Sequence, residues 1–102
     1  MMSWSEAGEA WGARAVDWAT LVDPWTMSVY LDVLDRLNVG VDDRVLDVAC
    51  GSGMAAVELR RRGATVAGLD ASTALIDVAS ERTPGGDLRV GDISDLPWGD
   101  DE

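Results

Sequence analysis

Short apolar runs alternate with amphipathic stretches through the middle of the chain. The runs at 44–49, 65–69 and 88–90 have the length and composition of buried strands. Residues 54–62 place apolar side chains at helical spacing, and Ser72 is positioned to N-cap a second helix before the third run. Strands that alternate with helices in this way are typical of βαβ units. The pattern therefore predicts an α/β fold with a parallel sheet and right-handed crossovers.

Two further helices are predicted ahead of the first strand. Ser3 and Glu6 have the spacing of a capping box, which begins the first helix. Asp23 is positioned to N-cap the second helix, with Pro24 in its first turn. The chain thus divides into an N-terminal helical segment and an α/β segment, residues 1–43 and 44–102.

Charge and residue content exclude several classes of function. The chain has 8 Lys+Arg against 19 Asp+Glu, a net charge of −11, and no histidine. A surface this acidic repels phosphate groups, which excludes nucleic-acid binding through a basic surface and polybasic membrane anchoring. Without histidine and with a single cysteine, the chain has neither a zinc-ligand set nor a histidine-dependent triad. We therefore expect no metal site, no nucleic-acid partner and no membrane partner.

The single cysteine and the N-terminal residues indicate the cellular compartment of the protein. Cys50 is the single cysteine, so no internal disulfide can form, which suits a reducing compartment. Residues 1–10 carry two acids and no basic residue, unlike a secretory signal, and no apolar run approaches the roughly 20 residues of a membrane span. We expect a cytoplasmic protein. Because no histidine is available to deprotonate it, we interpret Cys50 as a small residue in a turn, not as a nucleophile.

Three acidic residues stand at or near the ends of the three predicted strands. Asp47 precedes a turn with Gly51 and Gly53, Asp70 ends the second strand, and Asp92 follows the third. The carboxyl ends of parallel strands share one crevice, which is the usual ligand site of an open α/β sheet. The glycines permit unusual backbone angles and close approach of a ligand, and the following helix presents free N–H groups to a carboxylate. Asp70 can accept hydrogen bonds from two ribose hydroxyls and Asp92 from an adenine amino group, which predicts a nucleoside pocket.

Taken together, these elements resemble the class I S-adenosylmethionine-dependent methyltransferases, from about Arg44 to Trp98. The resemblance implies a Rossmann-like three-layer αβα sandwich with a parallel sheet, here ending after the third strand and preceded by N-terminal helices. It implies S-adenosyl-L-methionine as cofactor and methyl transfer to an acceptor. The ending Asp95-Leu-Pro-Trp98 resembles the small-molecule methyltransferases of quinone biosynthesis, so a small-molecule acceptor is expected.

The same resemblance assigns a set of cofactor-binding residues, whereas catalytic residues stay unassigned. Ala49 stands where the family most often has its first glycine. In the family, the first motif grips the methionine moiety, the acid after the second strand binds ribose, and the acid after the third contacts adenine. On this sequence the set is Asp47, Ala49, Cys50, Gly51, Ser52, Gly53, Asp70, Ala71, Asp92 and Ile93.

Two alternatives to the methyltransferase are open. Gly51-x-Gly53-x-x-Ala56 also satisfies a relaxed dinucleotide fingerprint, with Asp70 near the offset of an NAD ribose acid. The chain could therefore be the NAD-binding Rossmann domain of an oxidoreductase, or a non-catalytic remnant. Asp47 favours the methyltransferase because a methionine ammonium can use an acid before the glycines, whereas a pyrophosphate gains nothing from it. Asp47 could equally be a structural partner of the turn.

A tryptophan series in the N-terminal segment has two interpretations. Trp4, Trp11, Trp18 and Trp25 stand seven residues apart, and the first three can share one stripe of the first helix. One interpretation is packing over the sheet. The other makes Trp18, Trp25 or Tyr30 part of a lid, since N-terminal helices cover the cofactor in the family that the chain resembles, and aromatic faces attract a sulfonium cation.

The resemblance also predicts that this chain is the N-terminal, cofactor-binding part of a larger domain. The family normally pairs the first strand with a fourth, which this sequence lacks. That edge would expose unpaired N–H and C=O groups and apolar side chains. We expect the isolated chain to be inactive alone or marginally stable, or to self-associate through the exposed sheet edge. The acidic end, residues 100–102, is expected to be solvated.

Overall fold

A parallel three-stranded sheet is the centre of the computed structural model, which describes residues 2–99 without the side chain of residue 23. The strands are β1 (Arg44–Val48), β2 (Thr65–Asp70) and β3 (Asp87–Val90). Their order in the sheet is β1-β2-β3. All three strands run in the same direction, so their carboxyl ends meet at one edge.

Five α-helices and one π-helical turn complete the described part of the chain. Two crossover helices connect the strands, as the βαβ pattern predicts, and the parallel α/β fold is confirmed. The helical elements are α1 (Trp4–Gly12), α2 (Ala15–Asp17), the π-helical turn Trp18–Val22, α3 (Asp23–Arg36), α4 (Met54–Arg61) and α5 (Thr73–Arg82).

Local capping sets where two of these helices begin. The Ser3 hydroxyl accepts a hydrogen bond from the Glu6 N–H at 3.2 Å and donates one to the Glu6 carboxylate at 3.1 Å, so Ser3 is the N-cap of α1 as predicted. The Ser72 hydroxyl accepts from the Leu75 N–H at 3.1 Å at the start of α5. Both predicted starts are confirmed.

The N-terminal helices differ from the sequence prediction in two places. Asp23 is the first residue of α3 and not its N-cap, because the π-helical turn leads directly into α3 and gives Val22, at the N-cap, a helical backbone. The prediction that Trp18 shares the first helix with Trp4 and Trp11 is wrong as well. α1 ends at Gly12, a residue that weakens helices, and Trp18 opens the π-helical turn instead.

The buried core lies between the sheet and the helices α3 and α4. Its members are each less than one-tenth exposed, and Leu34 brings α3 into the same core as the strands. Alternate residues of β1 point to the opposite face, where Leu46 is 41% and Val48 42% exposed. The helices described in residues 2–99 therefore cover one face of the sheet. The core cluster is Leu34, Ala56, Leu59, Ala64 and Val66.

An ion-pair network at the end of α4 ties it to α3. The Glu58 carboxylate accepts from Arg61 at 2.7 Å and from Arg62 at 3.0 Å. Arg62 also donates to Asp35 of α3 at 2.6 Å. These arginine hydrogen bonds lower the pKa of Glu58 to about 2, although its burial acts in the opposite direction. The carboxylate is therefore charged at neutral pH and fully paired.

Within residues 2–99, no helix is both long enough and apolar enough to cross a membrane. The predicted solvated acidic end, residues 100–102, lies outside the described residues.

Candidate functional site

A cavity of about 520 Å³ opens at the carboxyl edge of the sheet. Its floor is formed by the loops that follow the three strands, and its wall by α1, the π-helical turn and α3. A cavity of this size is in the usual range for small-molecule and cofactor sites. Its lining residues are Trp4, Ala7, Trp11, Trp18, Thr26, Tyr30, Ala49, Cys50, Gly51, Met54, Ala55, Asp70, Ala71, Leu75, Gly91, Asp92 and Ile93.

The turn after β1 has left-handed backbone at three positions. Ala49 has φ +60°, Gly51 +58° and Gly53 +81°. This conformation is open to glycine and costs energy for an L-residue with a Cβ, so the backbone of Ala49 is strained. The turn is held by a hydrogen bond from the Cys50 N–H to the Leu69 carbonyl at 3.0 Å. Ala49, Cys50 and Gly51 all line the cavity.

Three residues of the assigned set do not line the cavity: Asp47, Ser52 and Gly53. Ser52 is 1% exposed, and its hydroxyl and carbonyl each accept from Arg82 at 3.3 Å. A Cβ on Gly53 would lie 2.7 Å from the Cβ of Ala79, so this glycine lets α4 begin close against α5. Ser52 and Gly53 thus hold the turn in place from behind.

Asp70 connects the loops that follow the three strands. Its Oδ2 accepts the Gly51 N–H at 2.9 Å, and its Oδ1 accepts the Ser72 N–H at 2.9 Å. Its backbone carbonyl accepts the Gly91 N–H at 3.0 Å. Each carboxylate oxygen has two lone pairs, so both can accept a further hydrogen bond from a ligand in the cavity. The structure thus brings the predicted glycine turn and the predicted ribose acid into direct contact.

Burial and like charge raise the pKa values of the Asp47 carboxyl and the Cys50 thiol. Burial raises the pKa of Asp47, and the neighbouring Asp70 charge raises it further. Burial, followed by the charges of Asp47 and Asp70, raises the pKa of the Cys50 thiol to about 12. At neutral pH the thiol is therefore protonated. A thiol in this state is a poor nucleophile, in agreement with the interpretation of Cys50 as a turn residue.

Asp92 and Ile93 lie in the loop after β3, on the side of the cavity away from β1. The Asp92 Oδ1 accepts the Ser94 N–H at 2.9 Å, which orients its carboxylate. Ile93 is 56% exposed and lines the cavity beside it. A carboxylate next to an apolar side chain can bind the amino group and the ring of a base.

Four aromatic residues, Trp4, Trp11, Trp18 and Tyr30, line the cavity; we call them the aromatic wall. Trp11 and Trp18 are in edge-to-face contact, with centroids 5.2 Å apart and planes at 81°. Trp25 is 85% exposed and lies outside the cavity lining. The seven-residue spacing was the sequence signal for the three tryptophans of this wall, but it did not separate Trp25 from them.

The sequence analysis did not predict that α1 packs directly on the loop after β2. A Cβ on Gly8 would lie 1.9 Å from the Ala71 carbonyl oxygen, and one on Gly12 would lie 2.7 Å from the Ser72 hydroxyl. Only glycine allows α1 to pack this closely on the loop after β2. The signal that could have found this contact is the Gly8-x-x-x-Gly12 spacing, which places both glycines on one helix face. Met54 and Leu75, which also line the cavity, carried no comparable signal.

Comparison with known proteins identifies the family. A family model described as the methyltransferase domain matches residues 45–102, more than half of the chain. The chain belongs to the methyltransferase domain family. This membership disfavours the NAD-binding domain as an interpretation of the glycine turn.

Individual relatives agree with the family match. An uncharacterized methyltransferase of Synechocystis sp. is 41% identical over 69 residues, 68% of this chain and 32% of that protein. Magnesium-protoporphyrin O-methyltransferase of Rhodobacter capsulatus is 48% identical over 62 residues, 55% of this chain and 27% of that protein. A solved structure of geranyl diphosphate C-methyltransferase from Streptomyces coelicolor A3(2) is similar to this chain, with a TM-score of 0.60 and 29% identity. The similarity covers 70% of this chain and 30% of that chain, which was solved with Mg²⁺, geranyl diphosphate and S-adenosyl-L-homocysteine. The chain spans about a third or less of each of these proteins.

Proposed function

We propose that this chain forms the S-adenosyl-L-methionine site of a methyltransferase that acts on a small-molecule acceptor. The observation that carries the proposal is the Asp70 carboxylate, which lines the cavity and accepts the Gly51 N–H at 2.9 Å. An acidic side chain that can bind ribose hydroxyls and is hydrogen-bonded to a glycine turn suits a ligand with a nucleoside joined to a small zwitterion, as in this cofactor. Family membership supports the same cofactor.

The donor set of the cavity fits the parts of this cofactor. Asp70 can accept from the ribose hydroxyls, with Ala71 beside it, and Asp92 can accept from the adenine amino group while Ile93 contacts the ring. At the other end, the turn that carries Gly51 precedes the N-terminus of α4, whose free N–H groups suit the methionine carboxylate.

The remaining assigned residues have distinct proposed roles in the turn. Ala49 and Cys50 line the cavity and would contact the methionine moiety through the backbone. Ser52 and Gly53 would act by holding the turn against α5. We propose that Asp47 acts from behind the turn, where its negative charge is available to the methionine ammonium.

The chain's own residues bind and orient, and we assign no general base among them. When bound, the cofactor would supply a methyl group on a sulfonium for in-line displacement by the acceptor. The two carboxylates and the glycine turn would fix the nucleoside and methionine ends. The aromatic wall would exclude water from the reacting end, so catalysis would rest on proximity and orientation.

Several finer features of the whole protein are part of the proposal. Residues 1–43 would act as a lid, because the aromatic wall that they carry lines the cavity. Self-association would use the β1 edge, which has no partner strand within residues 2–99. A cytoplasmic location, the absence of nucleic-acid and membrane partners, and a small-molecule acceptor complete the proposal. Two relatives are named for such acceptors, magnesium-protoporphyrin and geranyl diphosphate.

Calorimetric titration with S-adenosyl-L-homocysteine and with NADH tests the cofactor. We expect S-adenosyl-L-homocysteine to bind and NADH to give no signal. Asp70→Asn should weaken the binding about 10- to 150-fold, because a hydrogen bond to a charged group contributes roughly 1.5–3 kcal/mol. Asp77→Asn, in the exposed part of α5, is the matched control and should bind as the wild type does.

Three outcomes would contradict the proposal. Tight NADH binding without an S-adenosyl-L-homocysteine signal would favour the oxidoreductase domain. Binding of neither ligand to a folded chain would favour the non-catalytic remnant. Equal affinities in Asp70→Asn and Asp77→Asn would refute the ribose assignment.

A further inference from the structure

An arginine at the end of α5 contacts the glycine turn after β1 from the side away from the cavity. The Arg82 Nη1 donates to the Ser52 carbonyl oxygen and to the Ser52 hydroxyl, each at 3.3 Å. Ser52 is 1% exposed, and neither residue lines the cavity. Any effect of Arg82 on a ligand in the cavity therefore passes through the turn.

The turn needs such a restraint because glycine flanks Ser52 on both sides. Gly51 has φ +58° and Gly53 has φ +81°, and glycine loses more conformational freedom on folding than any other residue. Neither glycine has a side chain that could fix its own backbone. Ser52 has one, and Arg82 holds this residue by its main-chain and its side-chain oxygen. Without these two hydrogen bonds, the turn would sample other conformations.

The other end of α5 is anchored independently of Arg82. There the Asp70 Oδ1 accepts the Ser72 N–H at 2.9 Å, and the Ser72 hydroxyl caps the helix. α5 has 10 residues, so its two ends are roughly 15 Å apart at the rise of an α-helix. Ser72 holds the Asp70 carboxylate at one end, whereas Arg82 holds Ser52 at the other. Removal of the Arg82 side chain should therefore disturb the turn and leave Asp70 in place.

This inference rests on the proposed function, in which Asp70 binds the ribose and the turn binds the methionine moiety. We propose that Arg82 is a positioning residue for the methionine moiety, which it serves by fixing the turn through Ser52 without touching the cofactor. The nucleoside moiety would bind equally well without Arg82. An arginine that only stabilised the fold would affect both moieties alike, because a less stable chain presents less of the whole site.

The test compares two ligands by calorimetry: S-adenosyl-L-homocysteine, and adenosine, which lacks the amino-acid part. Arg82→Met should weaken the binding of S-adenosyl-L-homocysteine about 2- to 12-fold, which corresponds to roughly 0.5–1.5 kcal/mol, the net contribution of a hydrogen bond. The same variant should bind adenosine as the wild type does. Arg36→Met is the matched control, because Arg36 also lies in the last turn of a helix and pairs with an exposed carboxylate, that of Asp32, at 3.0 Å. It should change neither affinity.

The outcomes separate this inference from the function on which it rests. If Arg82→Met weakens both ligands by the same factor, or weakens neither, Arg82 does not position the methionine moiety and the inference alone is overturned. Should this variant fail to fold, as judged by circular dichroism, Arg82→Gln decides in its place, because its side chain ends short of the Nη1 position. If the wild-type chain binds neither ligand, the proposed function itself fails, and the inference fails with it.

Discussion

Replacing Ala49 by glycine should stabilise this protein, although it removes a side chain. Ala49 has φ +60°, a left-handed conformation that costs roughly 1–2 kcal/mol for an L-residue with a Cβ. Glycine avoids this cost but loses roughly 0.5–1 kcal/mol more conformational freedom on folding. The Ala49 methyl is exposed, so its removal sacrifices little buried area. The net expectation for Ala49→Gly is a gain of about 0.5–1 kcal/mol in the free energy of unfolding.

Thermal unfolding followed by circular dichroism measures this gain. For a domain of this size, 1 kcal/mol corresponds to roughly 4–8 °C, so a gain of about 0.5–1 kcal/mol should raise Tm by about 2–8 °C. Ala10→Gly is the matched control, because it removes the same methyl from an exposed position in α1. There the backbone is right-handed, and Tm should fall by a similar amount. A fall in Tm for Ala49→Gly comparable to that of Ala10→Gly would refute the assignment of strain to this turn.

Two further predictions concern packing and pH. Gly8→Ala should lower the free energy of unfolding by about 1–3 kcal/mol, because the new Cβ would lie 1.9 Å from the Ala71 carbonyl oxygen and force α1 away. Gly40→Ala, with no atom within 4 Å, is the control in the same thermal assay, and equal Tm values would contradict the packing. The pKa of Glu58 is about 2 in the fold, below its ordinary value of 4.5. Its ion pairs therefore contribute fully to the free energy of unfolding above pH 4.5, and this contribution is lost as the pH falls towards 2. In urea unfolding, Glu58→Gln should therefore lower the free energy of unfolding at pH 7 and make it fall less between pH 4.5 and 2. The control Glu81→Gln, at an exposed position, should keep the pH dependence of the wild type. Identical pH dependences for the two variants would disprove the role of the network.

The elements of the fold could be predicted because their signals are local. The hydrophobic period of a segment and a serine N-cap each act within a few residues, so the strands and the starts of α1 and α5 agree with prediction. The start of α3 differs from the prediction, because the π-helical turn before Asp23 already has a helical backbone. A capping signal specifies an N-cap only where the preceding chain is extended.

For the candidate site, the sequence by itself determined which residues meet at the carboxyl edge. Parallel strands end together, so Gly51, Asp70 and Asp92 reach one cavity whatever the details of packing. Only the tertiary structure decided that Ser52 turns towards α5, that Gly8 brings α1 onto the loop after β2, and that Trp18 lines the cavity while Trp25 is exposed. These outcomes depend on distances between segments that are remote in sequence, and no local periodicity or spacing encodes such distances.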